Sequence, residues 1–182
     1  MFIETKSLSI RALDFKDQEN LFKIVWQKDV MRFMRDWSDE HPTPESFHDY
    51  IQWQKQQQVS KDMYLNKRYA VVLQETDLLI GMVGMGLEDT LNEIEMAYFI
   101  DEDYQGNGYA TEALQALFEW CMSVSTIPYM ILTIDCANAA SCKVASKSGF
   151  ELFEKRTPIG HEQPNMESES YYYYRKYRKA SV

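Results

Sequence analysis

The stretch EIEMAYFIDEDYQGNGYATEALQALFEWC, Glu93 to Cys121, decides the fold. It reads as a strand over Ile94 to Ile100, a short polar connection, a glycine-bearing turn (Gln105-Gly106-Asn107-Gly108) and a helix. The helix carries Ala110, Leu114, Leu117, Phe118 and Cys121 at the one-face spacing of a 3.6-residue period. Such a turn leaves consecutive backbone N–H groups unpaired where the helix begins, from Gln105 through Gly106, Asn107, Gly108 and Tyr109 to Ala110. That arrangement suits an anion, most often a phosphate.

Upstream, residues 8–13 (LSIRAL) alternate as a first strand. Asp17 to Gln27 predicts an amphipathic helix with Leu21, Phe22, Val25 and Trp26 on one face, and Asp29 to Asp36 a second helical piece. Thr43-Pro44-Glu45 is a helix start, a hydroxyl cap before a proline whose missing N–H costs nothing there. This third helix holds Phe47, Tyr50, Ile51 and Trp53, then fades into the polar run from Gln54 to Ser60. From Arg68 the period changes to two: Tyr69–Gln74 and Leu79–Leu87 are strands in an antiparallel meander with Ile94–Ile100.

Downstream, Met130–Ile134 is a short apolar strand, as expected of a buried central one. Asn138 to Ser148 is a helix with Ala140, Val144 and Ala145 inward, ended by Gly149 before a strand over Phe150–Glu154. Thr157 to Asn165 forms a long hairpin loop. Glu169–Tyr177 is a last strand, on which Tyr171 and Tyr173 face one way and Tyr172 and Tyr174 the other. The order β-αα(α)-β-β-β-α-β-α-β-β describes an α+β (or α/β) domain spanning 1–182, without repeat or linker.

Composition narrows the classes. Hydrophobic residues at 45% and charged residues at 26% of 182 are ordinary for a soluble globular chain. No apolar run approaches the roughly 20 residues of a membrane span, and the N-terminus lacks a signal pattern, so a cytoplasmic protein without a membrane partner is expected. A net charge of −9 argues against a nucleic-acid partner and is compatible with an amine-bearing one. Cys121, Cys136 and Cys142 have no metal-ligand spacing and read as buried thiols; His41, His48 and His161 are scattered, so no metal is expected.

At the opening stretch the chain resembles the GNAT (GCN5-related N-acetyltransferase) superfamily, in the branch holding the bacterial acetyltransferases of ribosomal-protein N-termini. Gln105, Gly108 and Ala110 match its acyl-CoA signature Gln/Arg-x-x-Gly-x-Gly/Ala. Asn138, Ser141, Lys147, Gly149 and Phe150 match its second signature, and Asp29 to Met34 looks like the branch's short N-terminal motif. The resemblance implies a mixed, mostly antiparallel central sheet flanked by helices, with two parallel strands splayed at a cofactor slot. It also implies acetyl transfer from acetyl-CoA to an amine. The pantetheine arm would lie between Ile94–Ile100 and Met130–Ile134 against the backbone of Tyr98 and Phe99, with the pyrophosphate on the Gln105–Ala110 turn.

Glu95 is the only carboxylate in IEMAYFI and the candidate general base; the alternative is a substrate-binding or solvent-facing carboxylate. Asn138 either caps its helix or meets the pantetheine amide, and Ser141, three residues on, is the candidate contact to the CoA sulfur. Many GNAT enzymes use a tyrosine as the acid, but none occurs from Asp135 to Phe150. Lys143 and Lys147 are either contacts to the adenosine 3′-phosphate or solvated lysines. For the acceptor, Trp37, Tyr50 and Trp53 form one proposed wall and Tyr172 the other, although aromatic runs are also core. Asp36, Asp39, Glu40 and Glu45 either attract a cationic acceptor or are ordinary helix-end and loop charges.

The expected acceptor is a protein N-terminal α-amine or a small-molecule amine such as a polyamine or antibiotic. A non-catalytic acyl-CoA-binding regulatory domain is the rival from another class. A homodimer is left open.

Overall fold

The computed structural model describes residues 1–34, 43–157 and 168–179. Among the described residues eight strands form one sheet: β1 (Phe2–Glu4), β2 (Leu8–Ala12), β3 (Lys67–Leu73), β4 (Leu79–Glu88), β5 (Glu93–Ile100), β6 (Tyr129–Asp135), β7 (Glu151–Arg156) and β8 (Tyr171–Tyr177). Their spatial order is β1-β2-β3-β4-β5-β6-β8-β7. Every adjacent pair is antiparallel except β5–β6, where the crossover is made by helix α4 (Tyr109–Val124). Helices α1 (Gln18–Val25), α2 (Lys28–Met31) and α3 (Pro44–Val59) precede β3, and α5 (Ala139–Lys147) follows β6. The mixed, mostly antiparallel sheet flanked by helices is the architecture the sequence predicts.

Alternation along the strands sorts side chains onto two faces. Ile94, Met96 and Ile100 of β5 and Met130, Leu132 and Ile134 of β6 pack with Leu114, Leu117, Phe118 and Cys121 of α4. On the opposite face Ala70, Val72, Met82 and Phe99 pack against Leu21 and Ile24 of α1 and Phe47 and Ile51 of α3. That second layer stops at β5. Beyond it the same face carries a smaller cluster, Ile131, Tyr171 and Tyr173. Glu95, in phase with Phe99 on β5, therefore projects between the two clusters.

Several local readings are corrected. The first helix begins with a tight 3₁₀ turn, Phe15–Asp17, and its buried face is Leu21, Ile24 and Val25. Trp26 lies past the last helical residue and is half exposed, so it is off that face. The second helical piece is Lys28–Met31, and residues 35 and 36 of the expected segment lie outside the described residues. The third helix does not fade at Gln54. Buried Gln54 accepts from the N–H of Arg68 at 2.8 Å, and Gln58 donates to the Arg68 carbonyl at 2.5 Å, so one turn of glutamines serves both backbone groups of a β3 residue. In α5 only Ala145 is buried; Ala140 is exposed and Val144 half-buried. Cys121 is buried, but Cys136 and Cys142 are only half so. The Thr157–Asn165 loop falls outside the described residues after Thr157.

β1 was not expected at all. The turn that joins it to β2 is held by Glu112 in the first turn of α4, whose Oε1 accepts from the Thr5 hydroxyl at 2.6 Å and the Ser7 N–H at 2.7 Å. The carboxylate also suits a helix N-terminus. Glu112→Ala is expected to cost about 2 kcal/mol, because two donors lose a charged acceptor. Chemical denaturation would show a lower midpoint with an unchanged slope.

Candidate active site

α4 begins without a side-chain cap: Gly108 holds the N-cap position in the left-handed conformation, φ +87° and ψ −2°. Gly106 also has a positive φ, +79°. A Cβ at either residue would meet nothing within 4 Å, so the turn is open toward solvent-accessible space rather than packed. The Gln105 side chain donates to the Ile100 carbonyl at 3.0 Å and ties the turn to the end of β5. Asn107 points elsewhere: its amide braces the turn by donating to the Tyr104 and Gln105 carbonyls at 3.2 Å.

The turn lines one end of a cavity of about 900 Å³. The cavity runs from Gln105, Gly106 and Gly108–Thr111, past Asn138, Ser141, Lys143 and Lys147, along β5 and β6, and out to Asp29, Val30, Phe33 and Met34 and the Gly86–Thr90 hairpin. Its centre is a fork. β5 and β6 are in parallel register at a single pair, Glu95 and Ile131, and diverge from there. Such a gap between strands, continuous with an uncapped helix N-terminus, has the form required for an amide-bearing arm ending in a pyrophosphate.

Glu95 stands at the fork. Its Oε1 accepts from the Thr133 N–H at 3.0 Å and also from the Thr133 hydroxyl. Asn138 is the α5 cap, its Oδ1 accepting from the Ser141 N–H at 3.0 Å, while it also lines the cavity; the two roles proposed for it are compatible. Ser141 is half-buried in the first turn of α5, and its carbonyl accepts from the Tyr98 hydroxyl at 3.4 Å. Burial pushes the Tyr98 phenol up to about 12, so it stays protonated at neutral pH. Tyr98 thus brings a phenol from β5 to the start of α5. Lys143 and Lys147 are exposed on the cavity wall, as expected of either reading.

The proposed acceptor wall is not where the aromatic residues suggested. Tyr50 is half-buried beside the α1–α3 layer, Trp53 is exposed with its ring 6.2 Å from that of Tyr50, and neither lines the cavity. Tyr172 packs with Tyr174 against the α4–α5 core, away from the cavity. Trp37, with Asp36, Asp39 and Glu40, lies outside the described residues. Beyond Glu95 the cavity is lined instead by Asp29, Phe33, Met34, Asn66, Arg68 and Glu88. Thr133 also escaped the sequence reading. The available signal was a single threonine in the apolar run MILTI.

Comparison with known proteins agrees with this fold. Residues 7–151 match the family model described as an acetyltransferase (GNAT) domain. The chain is 27% identical over 166 residues to the uncharacterized N-acetyltransferase YnaD of Bacillus subtilis (strain 168), covering 89% of this chain and 91% of that one. It is 32% identical over 77 residues to the ribosomal-protein-serine acetyltransferase of Escherichia coli (strain K12), covering 42% of this chain and 43% of that one. Among solved structures, the ribosomal L7/L12 alpha-N-protein acetyltransferase RimL in complex with coenzyme A superposes with a TM-score of 0.79 at 19% identity, over 97% of this chain and 98% of that one.

Proposed function

The chain belongs to the GNAT acetyltransferase family, and from that premise we propose that residues 1–182 form one catalytic domain that moves the acetyl group of acetyl-CoA onto a primary amine. The position of Glu95 carries this reading: a carboxylate at the mouth of the β5–β6 fork, in the same cavity as the uncapped α4 turn. A module that only bound CoA would need at most a hydrogen-bonding oxygen there, not a group able to take up a proton.

The acceptor arrives as an ammonium, favoured by the carboxylates of Asp29, Glu88 and Asp89 on the outer cavity wall. Glu95 takes its proton, directly or through one water. The nitrogen lone pair then attacks the thioester carbonyl carbon, with its oxygen polarised by a backbone N–H of β5 near Tyr98. The new C–N bond forms, the C–S bond breaks, and the leaving thiolate takes up the second proton, which the nitrogen sheds as it becomes an amide. Ser141 and the Tyr98 phenol stand at the α5 end of the slot, where that sulfur would lie.

Our first choice of acceptor is the α-amine of a protein N-terminus. The names of the Escherichia coli relative and of RimL support it. Thiol release from acetyl-CoA should therefore be measured with peptides of varied N-terminal residue, polyamines and aminoglycosides. Turnover highest with a peptide is expected. Turnover only with a small amine would move the acceptor class, and release with none would leave a CoA-binding module.

A further inference from the structure

Glu95 does more in this fold than face an acceptor. Both donors of Thr133, its N–H and its hydroxyl, meet one oxygen of the Glu95 carboxylate. The Thr133 N–H therefore points across the fork toward β5. Thr133 stands two residues beyond Ile131, the last β6 residue in register with β5. In a parallel ladder carried one step further, that N–H would bond a β5 main-chain carbonyl. Strands that can pair this way do so, because an unpaired donor is costly. Here a side-chain oxygen occupies the donor instead. From this point on, β5 keeps its β4 partners (Tyr98 with Val83, Phe99 with Met82) and β6 its β8 partners.

We propose that Glu95 and Thr133 form a pin that stops the β5–β6 ladder and keeps the slot between the strands open, so that Glu95 sets the affinity for CoA separately from any part in proton transfer. The inference rests on the reading of the slot as the CoA site. The pin needs an oxygen acceptor on residue 95, not a charge. The threonine hydroxyl adds a second donor to the same oxygen and holds the carboxylate turned toward the gap.

CoA titrated calorimetrically into the wild type, Glu95→Gln, Glu95→Met and Thr133→Val tests this without any acceptor amine. Glutamine retains an oxygen for both donors, and its Kd is expected within about twofold of wild type. Methionine has similar length and no oxygen; with the ladder able to close by a step, its Kd is expected to weaken about fivefold to thirtyfold, the equivalent of one or two backbone hydrogen bonds. Thr133→Val keeps the N–H and is expected to fall between them. Glu95→Ala repeats the test should the methionine variant not fold. A methionine or alanine variant that binds CoA like the wild type overturns the pin, as does a glutamine variant weakened as much as methionine. Absence of CoA binding by the wild type overturns the CoA reading itself, and the pin with it.

Discussion

Glu95→Gln is expected to lower kcat for amine acetylation by about a hundredfold or more, the usual contribution of a positioned base. The substitution is nearly isosteric. A glutamine Oε1 still accepts from the Thr133 N–H and hydroxyl, so the fork and the first turns of α4 and α5 should keep their geometry. What changes is that an amide cannot take a proton from the arriving ammonium. Because the loss falls on the chemical step, CoA affinity should stay within about twofold, and kcat and kcat/KM for the amine should fall together. Steady-state thiol release and calorimetry on the same preparation separate the outcomes. Unchanged kcat would remove Glu95 from proton transfer and leave it as the pin alone. A parallel collapse of CoA affinity would mean that charge at residue 95 shapes the slot.

The turn and helix at one end of the cavity were legible because they are local. The turn, its glycines and the helix that follows are contiguous, and their meaning lies in spacing along one stretch, Gln105 to Cys121. Glu95 drew attention for the same reason, as the one carboxylate within the run IEMAYFI. The outer cavity wall is assembled from Asp29, Val30, Phe33, Met34, Asn66, Arg68 and residues 86–90, which only tertiary packing brings together. Aromatic content pointed instead to Tyr50 and Trp53. Their helix does pack on the sheet, through Phe47 and Ile51, but that packing turns Trp53 to solvent and keeps both rings off the cavity. The Thr133–Glu95 contact spans 38 residues and depends on where two parallel strands stop pairing, which no periodicity encodes. β1, three residues with Phe2 and Glu4 exposed, is too short to show alternation and exists because Ile3 pairs with Ile10.

Gly108→Val is expected to weaken CoA binding by about a hundredfold, the loss of two or three charge-assisted hydrogen bonds from the turn to a phosphate. Two effects act together. At φ +87° a β-branched residue is strongly disfavoured, at roughly 1–2 kcal/mol, so the turn relaxes and its N–H groups no longer converge. Whatever conformation results, the side chain projects into the space that a Cβ at this position finds empty, where the phosphates would come close. Nothing in the protein itself is struck, since no heavy atom lies within 4 Å of that Cβ. Stability should therefore fall only by the backbone term, about 1–2 kcal/mol, while affinity falls much further. Gly108→Ala carries a similar backbone penalty with one carbon of bulk, and its affinity should lie between the two. Calorimetry with CoA beside thermal unfolding checks the ratio. Equal losses of stability and affinity would make Gly108 a folding residue, and full affinity in the valine variant would place the pyrophosphate grip away from this turn.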